Sequence, residues 1–495
     1  SYGVAAAAQI YYGKELCELS VAQVAMIAGL PKTPSRYNPI VNPDRALNRR
    51  TYVLTRMRIL GFISDDVFEQ EEMASVTAKR HQSRVQVQAP YVNEMVRAEI
   101  VKQFGDEAYS RGLNVYTTIR ADIQQAANES LWNGLVNYDR RHGYRGVVRH
   151  VELNEDEEEL ESSLLNNHDA LLEILKHDSN YGHFKPALIL SIQDESEEKM
   201  ENEPMASEMK AEGVAPDLGR HAMVLLKNGD RAVLPWEGIK WARPYVSLNR
   251  TGKEPEHIED VLRVGDVIWV SKQEDGSLVL AQAPEVQGAL VAITPNDGAI
   301  QALKGGLDFN RSKFNRASQA RRQAGSGFKP VIYSSALSKT FTPASLINDA
   351  PVVFDDPALE STWRPENYSG KFFGPTRMRE ALYRSRNLVS IRILRAIGIA
   401  WVTEYAERFG FTQDQLPRDL TLALGSATVS PLQMARAYAV LANGGYLVEP
   451  FFIKRIYDPA GNEIFRANPA VVCPDCSLTL ETIDDAPQQE INTAE

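Results

Sequence analysis

The sequence has no apolar run long enough to cross a membrane, little cysteine and no excess of positive charge. Its longest apolar stretches, such as Val4–Ala8 and Val24–Leu30, are far shorter than the roughly 20 residues that a transmembrane helix needs. The formal net charge is −11 at pH 7 with 43% hydrophobic residues, which is typical of a globular protein and argues against general binding of nucleic acid or anionic lipid. At 495 residues the chain is long enough for about three domains.

Three cysteines limit the redox and metal chemistry that the chain can support. Cys17 lies alone in an apolar helical pattern, which predicts a small, buried apolar side chain. Cys473 and Cys476 form a lone Cys-x-x-Cys pair, and a four-ligand zinc site would need a second pair that the sequence does not supply. We therefore predict a local disulfide in an oxidising compartment, and no metal site.

Residues 1–62 have a helical pattern throughout. Ser20 with Gln23 forms a capping box before a short helix, and Pro43 occupies the favoured first position of a longer one. A group of basic residues here could bind phosphate, but composition favours a solvated helix face with a few ion pairs. The group consists of Lys32, Arg36, Arg45, Arg49 and Arg50.

Residues 63–149 are predicted to form an inter-domain linker region that has secondary structure of its own. Ser64–Met73 is typical of a capped helix, and Gly112–Ile119 is rich in β-forming residues. An amphipathic helix is predicted from about Asp122 to Tyr138. Its apolar face consists of Ile123, Ala126, Ala127, Leu131 and Leu135.

Between residues 150 and 287 the pattern changes to short strands, which predicts a small β-barrel domain. The strands are Ala187–Ile192, Ala222–Leu226, Arg231–Leu234, Val267–Val270 and Leu278–Ala281. Two acidic blocks, Glu155–Glu159 and Asp194–Glu212, interrupt them. We interpret these blocks as solvated insertions, with an acidic protein-docking surface as the alternative.

The segment 288–495 contains the residues with the clearest chemical potential. Asn296-Asp-Gly298 predicts a hairpin. Ser326 and Lys329 follow at the start of a predicted helix, where a spacing of three residues brings a hydroxyl and an amine to one face. A lysine amine so placed can take the proton of a serine that attacks a carbonyl carbon.

The Ser-x-x-Lys tetrapeptide is weak evidence by itself, because about two matches are expected by chance in a chain of this length. Two others occur, at Ser196–Lys199 and Ser207–Lys210, and both lie in a highly charged stretch. A second element, Ser385-x-Asn387, follows Ser326 by 59 residues. We predict that it lies between a helix that Thr376 caps and the helical run from Leu388 to Ile397.

The paired motifs, together with their flanks, resemble the gamma-proteobacterial class A (bifunctional) penicillin-binding proteins. The flanks that carry the resemblance are Arg322–Pro330, Thr342–Pro351 and Leu422–Met434 for the transpeptidase domain, and Gly3–Lys14, Leu30–Pro39 and Asn48–Met57 for the end of the lysozyme-like glycosyltransferase domain. The resemblance implies a multidomain α+β protein. Its parts would be an all-helical glycosyltransferase remnant at 1–62, the linker region at 63–149, an OB-like domain at 150–287 and an incomplete transpeptidase domain at 288–495.

By this resemblance Ser326 would be acylated by the D-Ala-D-Ala end of a peptidoglycan stem peptide, and an amine of a second stem would then accept the acyl group. Lys329 would be the base, Ser385 would relay the proton, and Asn387 would hold the donor amide and orient the lysine. An ordinary lysine, with a pKa of about 10.4, is neutral only about one time in a thousand near pH 7.4, so burial has to lower the pKa of Lys329 towards neutrality.

The resemblance also implies partners and a location. The protein would act at the periplasmic face of the bacterial inner membrane on stem peptides and a lipid-linked glycan precursor, with β-lactams as inhibitors. A periplasmic or outer-membrane regulator is a possible partner, and no nucleic acid is expected. Transpeptidation needs no cofactor, whereas the glycosyltransferase reaction of the family uses a divalent cation, bound by residues upstream of this segment.

The family's third element, a Lys-Thr/Ser-Gly strand, is absent downstream of Asn387, and the chain starts at Ser1 without a methionine. We therefore expect a fragment truncated at both ends, with weak penicillin labelling at best. Three alternatives to a transpeptidase stay open at this point: a D,D-carboxypeptidase, a β-lactamase, and a non-catalytic scaffold that keeps the fold.

Overall fold

The structure is a computed structural model that describes residues 3–81, 85–152, 168–194, 219–352 and 363–472. The chain divides into two compact units, and the division falls between Gln88 and Ala89. The predicted linker region 63–149 contributes residues to both units. Among the described helices, none combines the length and the apolar composition that crossing a bilayer requires.

The first unit consists of helices whose starts follow from their capping residues. The helices are α1 (Val4–Tyr12), α2 (Val21–Gly29), α3 (Pro43–Ile59) and α4 (Asp65–Glu72). The Ser20 hydroxyl accepts a hydrogen bond from the backbone N–H of Gln23, and the Gln23 side chain accepts one from the N–H of Ser20. The predicted capping box is thus confirmed. Ser64 likewise caps α4 by accepting from the N–H of Val67.

Two predictions for the first unit are wrong. Arg50 is only 2% exposed, and its guanidinium donates to the carbonyl oxygens of Glu72 and Ala74 at 3.0 and 2.6 Å. It therefore satisfies carbonyl groups at the end of α4 instead of facing water, and burial lowers the pKa of its guanidinium. Cys17 is exposed, because it lies in the short 3₁₀ turn between α1 and α2, outside their packing.

The second unit begins with α5 (Pro90–Phe104), β1 (Asn114–Thr117) and α6 (Ala121–Arg141). The apolar face predicted for α6 is wrong in part. Ala127 is buried as predicted, but Ala126 is exposed and the polar side chain of Gln124 is fully buried. Gln124 is turned inwards because its amide oxygen accepts a hydrogen bond from the N–H of Leu303, in a distant strand, at 2.9 Å.

The five strands predicted between residues 150 and 287 are all present. The elements of this segment are β2 (Arg149–His150), α7 (His168–Lys176), β3 (Lys185–Gln193), β4 (His221–Leu226), β5 (Arg231–Pro235), α8 (Trp236–Ile239), β6 (Tyr245–Ser247), β7 (Arg250–Thr251), β8 (Asp266–Lys272) and β9 (Leu278–Ala281). An antiparallel sheet has the order β2-β8-β3-β4-β5, and β9 also pairs with β8. Alternate residues of β3 enter two separate apolar clusters, so this strand is buried on both faces.

The acidic blocks lie almost entirely outside the described residues, as does the predicted disulfide between Cys473 and Cys476. Asp194, the first residue of the second block, is described and is not a solvated residue. Its carboxylate accepts hydrogen bonds from the Arg220 guanidinium at 2.7 Å and from the backbone N–H of Ile258 at 3.0 Å. The interpretation as a solvated insertion is therefore wrong for this residue.

The rest of the second unit combines helices with short strands. Its elements are β10 (Leu290–Ile293), β11 (Ile300–Lys304), β12 (Arg322–Gln323), α9 (Lys329–Leu337), β13 (Leu346–Asp349), β14 (Gly374–Arg377), α10 (Met378–Tyr383), α11 (Asn387–Ile397), α12 (Ile399–Ala406), β15 (Thr428–Val429), α13 (Pro431–Ala442), β16 (Ile453–Tyr457) and β17 (Glu463–Arg466). The predicted hairpin is confirmed, because β10 and β11 pair antiparallel. β1 pairs antiparallel with β16, which joins the start of this unit to the end of its described part.

Helices α9, α11 and α12 pack around one apolar core, which includes Phe328, Ile332, Ile391, Leu394 and Val402. The prediction that Thr376 caps the following helix is wrong. Thr376 lies in β14, opposite Ile347 of β13, and its hydroxyl donates to the carbonyl oxygen of Gly374. Pairing with β13 keeps the chain extended to Arg377, so α10 starts one residue later without a side-chain cap.

Candidate functional site

Ser326 lies in a 3₁₀ turn of residues Gly325–Phe328, which leads directly into α9; we call it the Ser326 turn. The predicted helix is therefore present from Lys329 onwards, with Pro330 in its first turn. The side chains that predicted its buried face are all buried: Phe328, Val331, Ile332, Ser335 and Ala336. This packing fixes α9 in the core and leaves Ser326 exposed at its start.

The four residues predicted for the site meet at the start of α9. The Nζ atom of Lys329 lies 2.9 Å from the Oγ of Ser385, and the Ser385 Oγ lies 2.9 Å from the Oγ of Ser326. Lys329 Nζ also donates to the Oδ1 of Asn387 at 2.8 Å and to the carbonyl oxygen of Ser385 at 2.8 Å. The tertiary structure thus brings together two sequence motifs that are 59 residues apart.

The hydrogen bonds form a continuous chain from the amine to the Ser326 hydroxyl through Ser385. The sequence pattern predicts direct contact of Ser326 with Lys329, whereas the hydrogen bond of the Ser326 hydroxyl is with Ser385. With Lys329 protonated, the amine donates to Ser385, which donates to Ser326. With Lys329 neutral, the same oxygens can carry a proton the other way, from Ser326 to the amine. The arrangement can therefore activate a serine for attack on a carbonyl carbon.

Burial gives Lys329 the acidity that such a base requires. Only 1% of the residue is exposed, and desolvation lowers the pKa of its amine to about 8. With that pKa, about one molecule in five is neutral at pH 7.4, against about one in a thousand for an ordinary lysine. The direction of the predicted pKa shift is confirmed.

Ser385 has an unusual backbone conformation that aims two of its oxygens at Lys329. Its φ is 53°, and among the described residues it is the one non-glycine residue with positive φ. Serine rarely adopts this left-handed region, so the surrounding structure has to hold it there. In this conformation both the carbonyl oxygen and the hydroxyl of Ser385 bind the same ammonium group.

The Ser326 turn is fixed from behind by a loop that contains Gly425. The N–H of Gly325 donates to the carbonyl oxygen of Gly425 at 2.9 Å, and the N–H of Ala324 donates to that of Ala427 at 2.9 Å. A Cβ atom on Gly425 would lie 1.7 Å from the carbonyl oxygen of Gly325, and φ of Gly425 is +80°. Glycine is therefore the residue that lets this loop approach the turn so closely.

We expect Gly425→Ala to lower the free energy of unfolding by about 3 kcal/mol or more, because the backbone of the Ser326 turn has to move to admit the methyl group. Gly444→Ala is the matched control: its φ is +90°, but a Cβ there meets nothing within 4 Å. Gly444→Ala should lower the free energy of unfolding by only about 1–2 kcal/mol, which is the cost of the strained backbone conformation. Chemical unfolding of both variants measures the difference, and equal losses would contradict the proposed role of the close approach.

Three residues that support the site were missed by reasoning from the sequence. Gly425 has a weak signal, since a glycine after the apolar run Leu422–Leu424 suggests a special backbone conformation. No local sequence pattern distinguishes Asn367 and Asp349 from polar residues at the surface. They are nevertheless only 5% and 0% exposed. Both lie behind the Ser385–Asn387 loop, and Asn367 hydrogen-bonds to its backbone.

Within the described ranges, no three His, Cys, Asp or Glu side chains lie close enough together to hold a metal ion. The groups assembled at the Ser326 turn are joined by the hydrogen bonds described above. These are one nucleophile, one amine of lowered pKa, and two residues that connect and orient them.

Three family profiles match the chain in the order that the sequence analysis predicts. The transglycosylase family matches residues 1–58, the penicillin-binding protein OB-like domain matches residues 144–286, and the penicillin-binding protein transpeptidase domain matches residues 288–492. The site described above lies within the third match.

Similar proteins cover nearly the whole chain. Penicillin-binding protein 1A of Pseudomonas aeruginosa is 45% identical over 469 residues, which are 95% of this chain and 53% of that protein. Penicillin-binding protein 1A of Escherichia coli is 41% identical over 97% of this chain and 53% of that protein. The crystal structure of penicillin-binding protein 1A from Haemophilus influenzae aligns with a TM-score of 0.70 and 36% identity, over 96% of this chain and 64% of that one. The chain spans about half the length of the curated relatives that it matches.

Proposed function

The chain belongs to the class A penicillin-binding proteins, and from this premise we propose that its Ser326 site carries out D,D-transpeptidation of peptidoglycan stem peptides. The observation that carries the proposal is the hydrogen-bonded chain from Lys329 through Ser385 to Ser326, with both steps at 2.9 Å. A hydroxyl, a relay hydroxyl and an amine of lowered pKa are the groups that acyl transfer through a serine ester requires.

In the first half-reaction the Ser326 oxygen attacks the carbonyl carbon of the penultimate D-alanine. Its proton passes to Ser385, and the proton of Ser385 passes to Lys329. When the tetrahedral intermediate collapses, the C–N bond breaks and the protonated lysine returns a proton to the departing amine of the terminal D-alanine. The backbone N–H of Ser326 is suited to stabilise the oxyanion, because it lies at the start of a helical segment. The product is an acyl ester on Ser326.

In the second half-reaction the amine of another stem peptide attacks the ester carbonyl. Lys329, neutral again, takes a proton from this amine through Ser385. As the ester C–O bond breaks, the protonated lysine returns a proton through Ser385 to the leaving Ser326 oxygen, which becomes a hydroxyl again. The new bond is an amide cross-link. Water in place of the amine would give a free carboxylate instead, which is the carboxypeptidase reaction.

The acyl-enzyme test uses a β-lactam, whose strained amide replaces the D-Ala-D-Ala bond but whose leaving group stays attached. After long incubation with excess penicillin G, a fraction of the intact protein should gain the mass of one penicillin, in keeping with the weak labelling expected from the sequence. Peptide mapping should place the adduct on Ser326. An adduct on another serine would overturn the proposed nucleophile, and the absence of any adduct would favour a non-catalytic scaffold.

Transfer is separated from hydrolysis by product analysis with a D-Ala-D-Ala-terminated peptide, with and without an added amino acid as acceptor. We expect an amide product that grows with acceptor concentration at the expense of the free acid. Production of the free acid alone at every acceptor concentration would favour the carboxypeptidase.

The rate of acylation should depend on pH through Lys329, whose pKa burial lowers to about 8. The base must be neutral, so the rate at saturating penicillin should rise about tenfold per pH unit below that pKa and become constant above it. Stopped-flow measurement between pH 6 and 9.5 would show this profile. A rate that is independent of pH over this range would contradict the role of Lys329 as base.

The activities of the whole protein are a further part of the proposal. Residues 1–58 match the transglycosylase family, which supports glycan polymerisation from a lipid-linked precursor in a protein at the periplasmic face of the inner membrane. A divalent cation for that reaction and a periplasmic or outer-membrane regulator belong to the same proposal. Transpeptidation itself proceeds, in this proposal, on side chains and backbone groups without a cofactor.

A further inference from the structure

The Ser385–Asn387 loop presents three acceptor oxygens to one buried ammonium group, and it does so in a strained conformation. The carbonyl oxygen and the hydroxyl of Ser385 and the amide oxygen of Asn387 all lie 2.8–2.9 Å from Lys329 Nζ. A non-glycine residue with a φ of 53° does not hold this geometry by itself. Contacts from outside the loop therefore have to keep it in place.

Residues 366–367 hold both the backbone and the side chain of Asn387. The Oδ1 of Asn367 accepts a hydrogen bond from the N–H of Asn387 at 2.9 Å and a longer one from that of Leu388 at 3.5 Å. Asn367 thus caps α11 from a distant loop, since α11 has no cap from its own preceding residue. The side-chain amide of Asn387 donates to the carbonyl oxygen of Glu366 at 2.9 Å, which turns its oxygen towards Lys329.

Asn367 is in turn oriented by Asp349. The side-chain amide of Asn367 donates to the Oδ1 of Asp349 at 2.8 Å and to the carbonyl oxygen of Lys371 at 2.9 Å. Asp349 is fully buried at the end of β13, so it cannot exchange this partner for water. Its other oxygen lies 3.9 Å from the Nε of Arg386, the residue between the two motif residues of the loop.

The other side of the loop is tied to the helix that carries Lys329. The carbonyl oxygen of Arg386 accepts a hydrogen bond from the Ser390 hydroxyl at 2.8 Å. Ser390 also hydrogen-bonds to the hydroxyl of Tyr333 at 3.1 Å, and Tyr333 lies one turn after Lys329 on α9. The loop is therefore held from two sides, and Asn367 supplies the side chain that hydrogen-bonds to the backbone of Asn387.

We propose that Asn367, oriented by Asp349, is a positioning residue for acyl transfer. Its side chain holds the N–H of Asn387 and so fixes the loop in the conformation that directs Ser385 and Asn387 at Lys329. The inference rests on the proposed function of the Ser326 site. Asn367 acts through Asn387 and touches neither Ser326 nor Lys329, so it should affect the rate of acylation more than the binding of a β-lactam.

The first test is Asn367→Ala in the purified protein, with acylation measured over a range of penicillin G concentrations. We expect the rate at saturation to fall about 100-fold, the loss typical of a misplacement of about 1 Å, and the dissociation constant to change by less than about threefold. Asn348→Ala is the matched control, because this neighbour of Asp349 is exposed on the same strand. It should acylate at the rate of the unchanged protein.

An exchange of the two buried side chains separates positioning from a merely structural role. Asn367→Asp alone places two carboxylates against each other in a buried site, and it should lose at least as much rate as Asn367→Ala. Adding Asp349→Asn restores a pair of one carboxylate and one amide. The carboxylate at position 367 still accepts from the N–H of Asn387, while the carbonyl oxygen of Lys371 loses its side-chain donor. We expect the double variant to regain at least tenfold in rate over Asn367→Asp. Circular dichroism would confirm that the compared variants are folded.

Each result bears on one of the two proposals. If Asn367→Ala acylates like the unchanged protein, or the double variant regains nothing while folded, the positioning role is overturned although Ser326 stays the nucleophile. If the unchanged protein is not acylated at Ser326, the proposed function itself fails. The adduct map of the unchanged protein therefore comes first.

Discussion

The Ser326→Ala protein is expected to form no covalent adduct with penicillin, because the removed hydroxyl oxygen is the atom that forms the acyl bond. Ser326 is exposed, and its hydroxyl makes one hydrogen bond in the chain described above, the one with Ser385. The backbone bonds that hold the Ser326 turn come from Ala324 and Gly325 and are unaffected by the change. We therefore expect the free energy of unfolding to change by no more than about 0.5 kcal/mol, as at other surface positions.

The measurement is fluorescent-penicillin labelling together with a chemical unfolding curve on the same preparation. Ser334→Ala is the matched control, since Ser334 is a serine on α9 whose hydroxyl contacts Tyr405 and not the site. It should label at the rate of the unchanged protein. Labelling of Ser326→Ala at that same rate would show that Ser326 is not the nucleophile. An adduct on Ser385 would identify that residue as the nucleophile instead.

Lys329→Met should lower the rate of acylation by about 10³-fold or more, because it removes the base and keeps most of the side-chain volume. General bases contribute about 10²–10⁴-fold, and this one also holds three acceptor groups in place. The lost donor leaves these oxygens less well satisfied, so some loss of stability should accompany the loss of rate. Acylation at saturating penicillin and the unfolding midpoint report the two effects separately.

Two further lysine variants identify the cause of this loss. Lys339→Met removes an amine just after the end of α9 that donates to the carbonyl oxygen of Ile397, away from the site, and should leave the rate within about twofold. Lys329→Arg keeps a positive charge but cannot supply a neutral base, because a guanidinium does not lose its proton at accessible pH. Acylation of folded Lys329→Arg at the normal rate would show that Lys329 contributes its positive charge and does not act as a neutral base.

Local rules explain why much of the fold follows from the sequence. The capping box at Ser20 involves residues three apart, and the hairpin of β10 and β11 follows from the turn residues Asn296–Gly298, so both depend on short stretches of chain. The five predictions that are wrong concern Arg50, Cys17, Asp194, Thr376 and part of the apolar face of α6. Four of them depend on what a distant segment supplies: carbonyl groups for Arg50, the guanidinium of Arg220 for Asp194, a partner strand for Thr376, and the N–H of Leu303 for Gln124.

The sequence by itself identified Ser326, Lys329, Ser385 and Asn387 as candidate site residues, because the two motifs occur in one order and their flanks resemble those of a known family. It also determined the order of the three domains, which the family profiles match. The exact boundaries between these domains stay predictions, as do the catalytic roles of the four residues.

Only the tertiary structure decided how the site is assembled and held. It places Ser385 between Lys329 and Ser326, gives Ser385 its positive φ, and surrounds Lys329 so that burial lowers the pKa of the amine to about 8. It also brings Asn367 and Gly425 to the back of the site. The physical reason is that burial, and hydrogen bonds between segments tens of residues apart, depend on how those segments pack, which local sequence patterns do not contain.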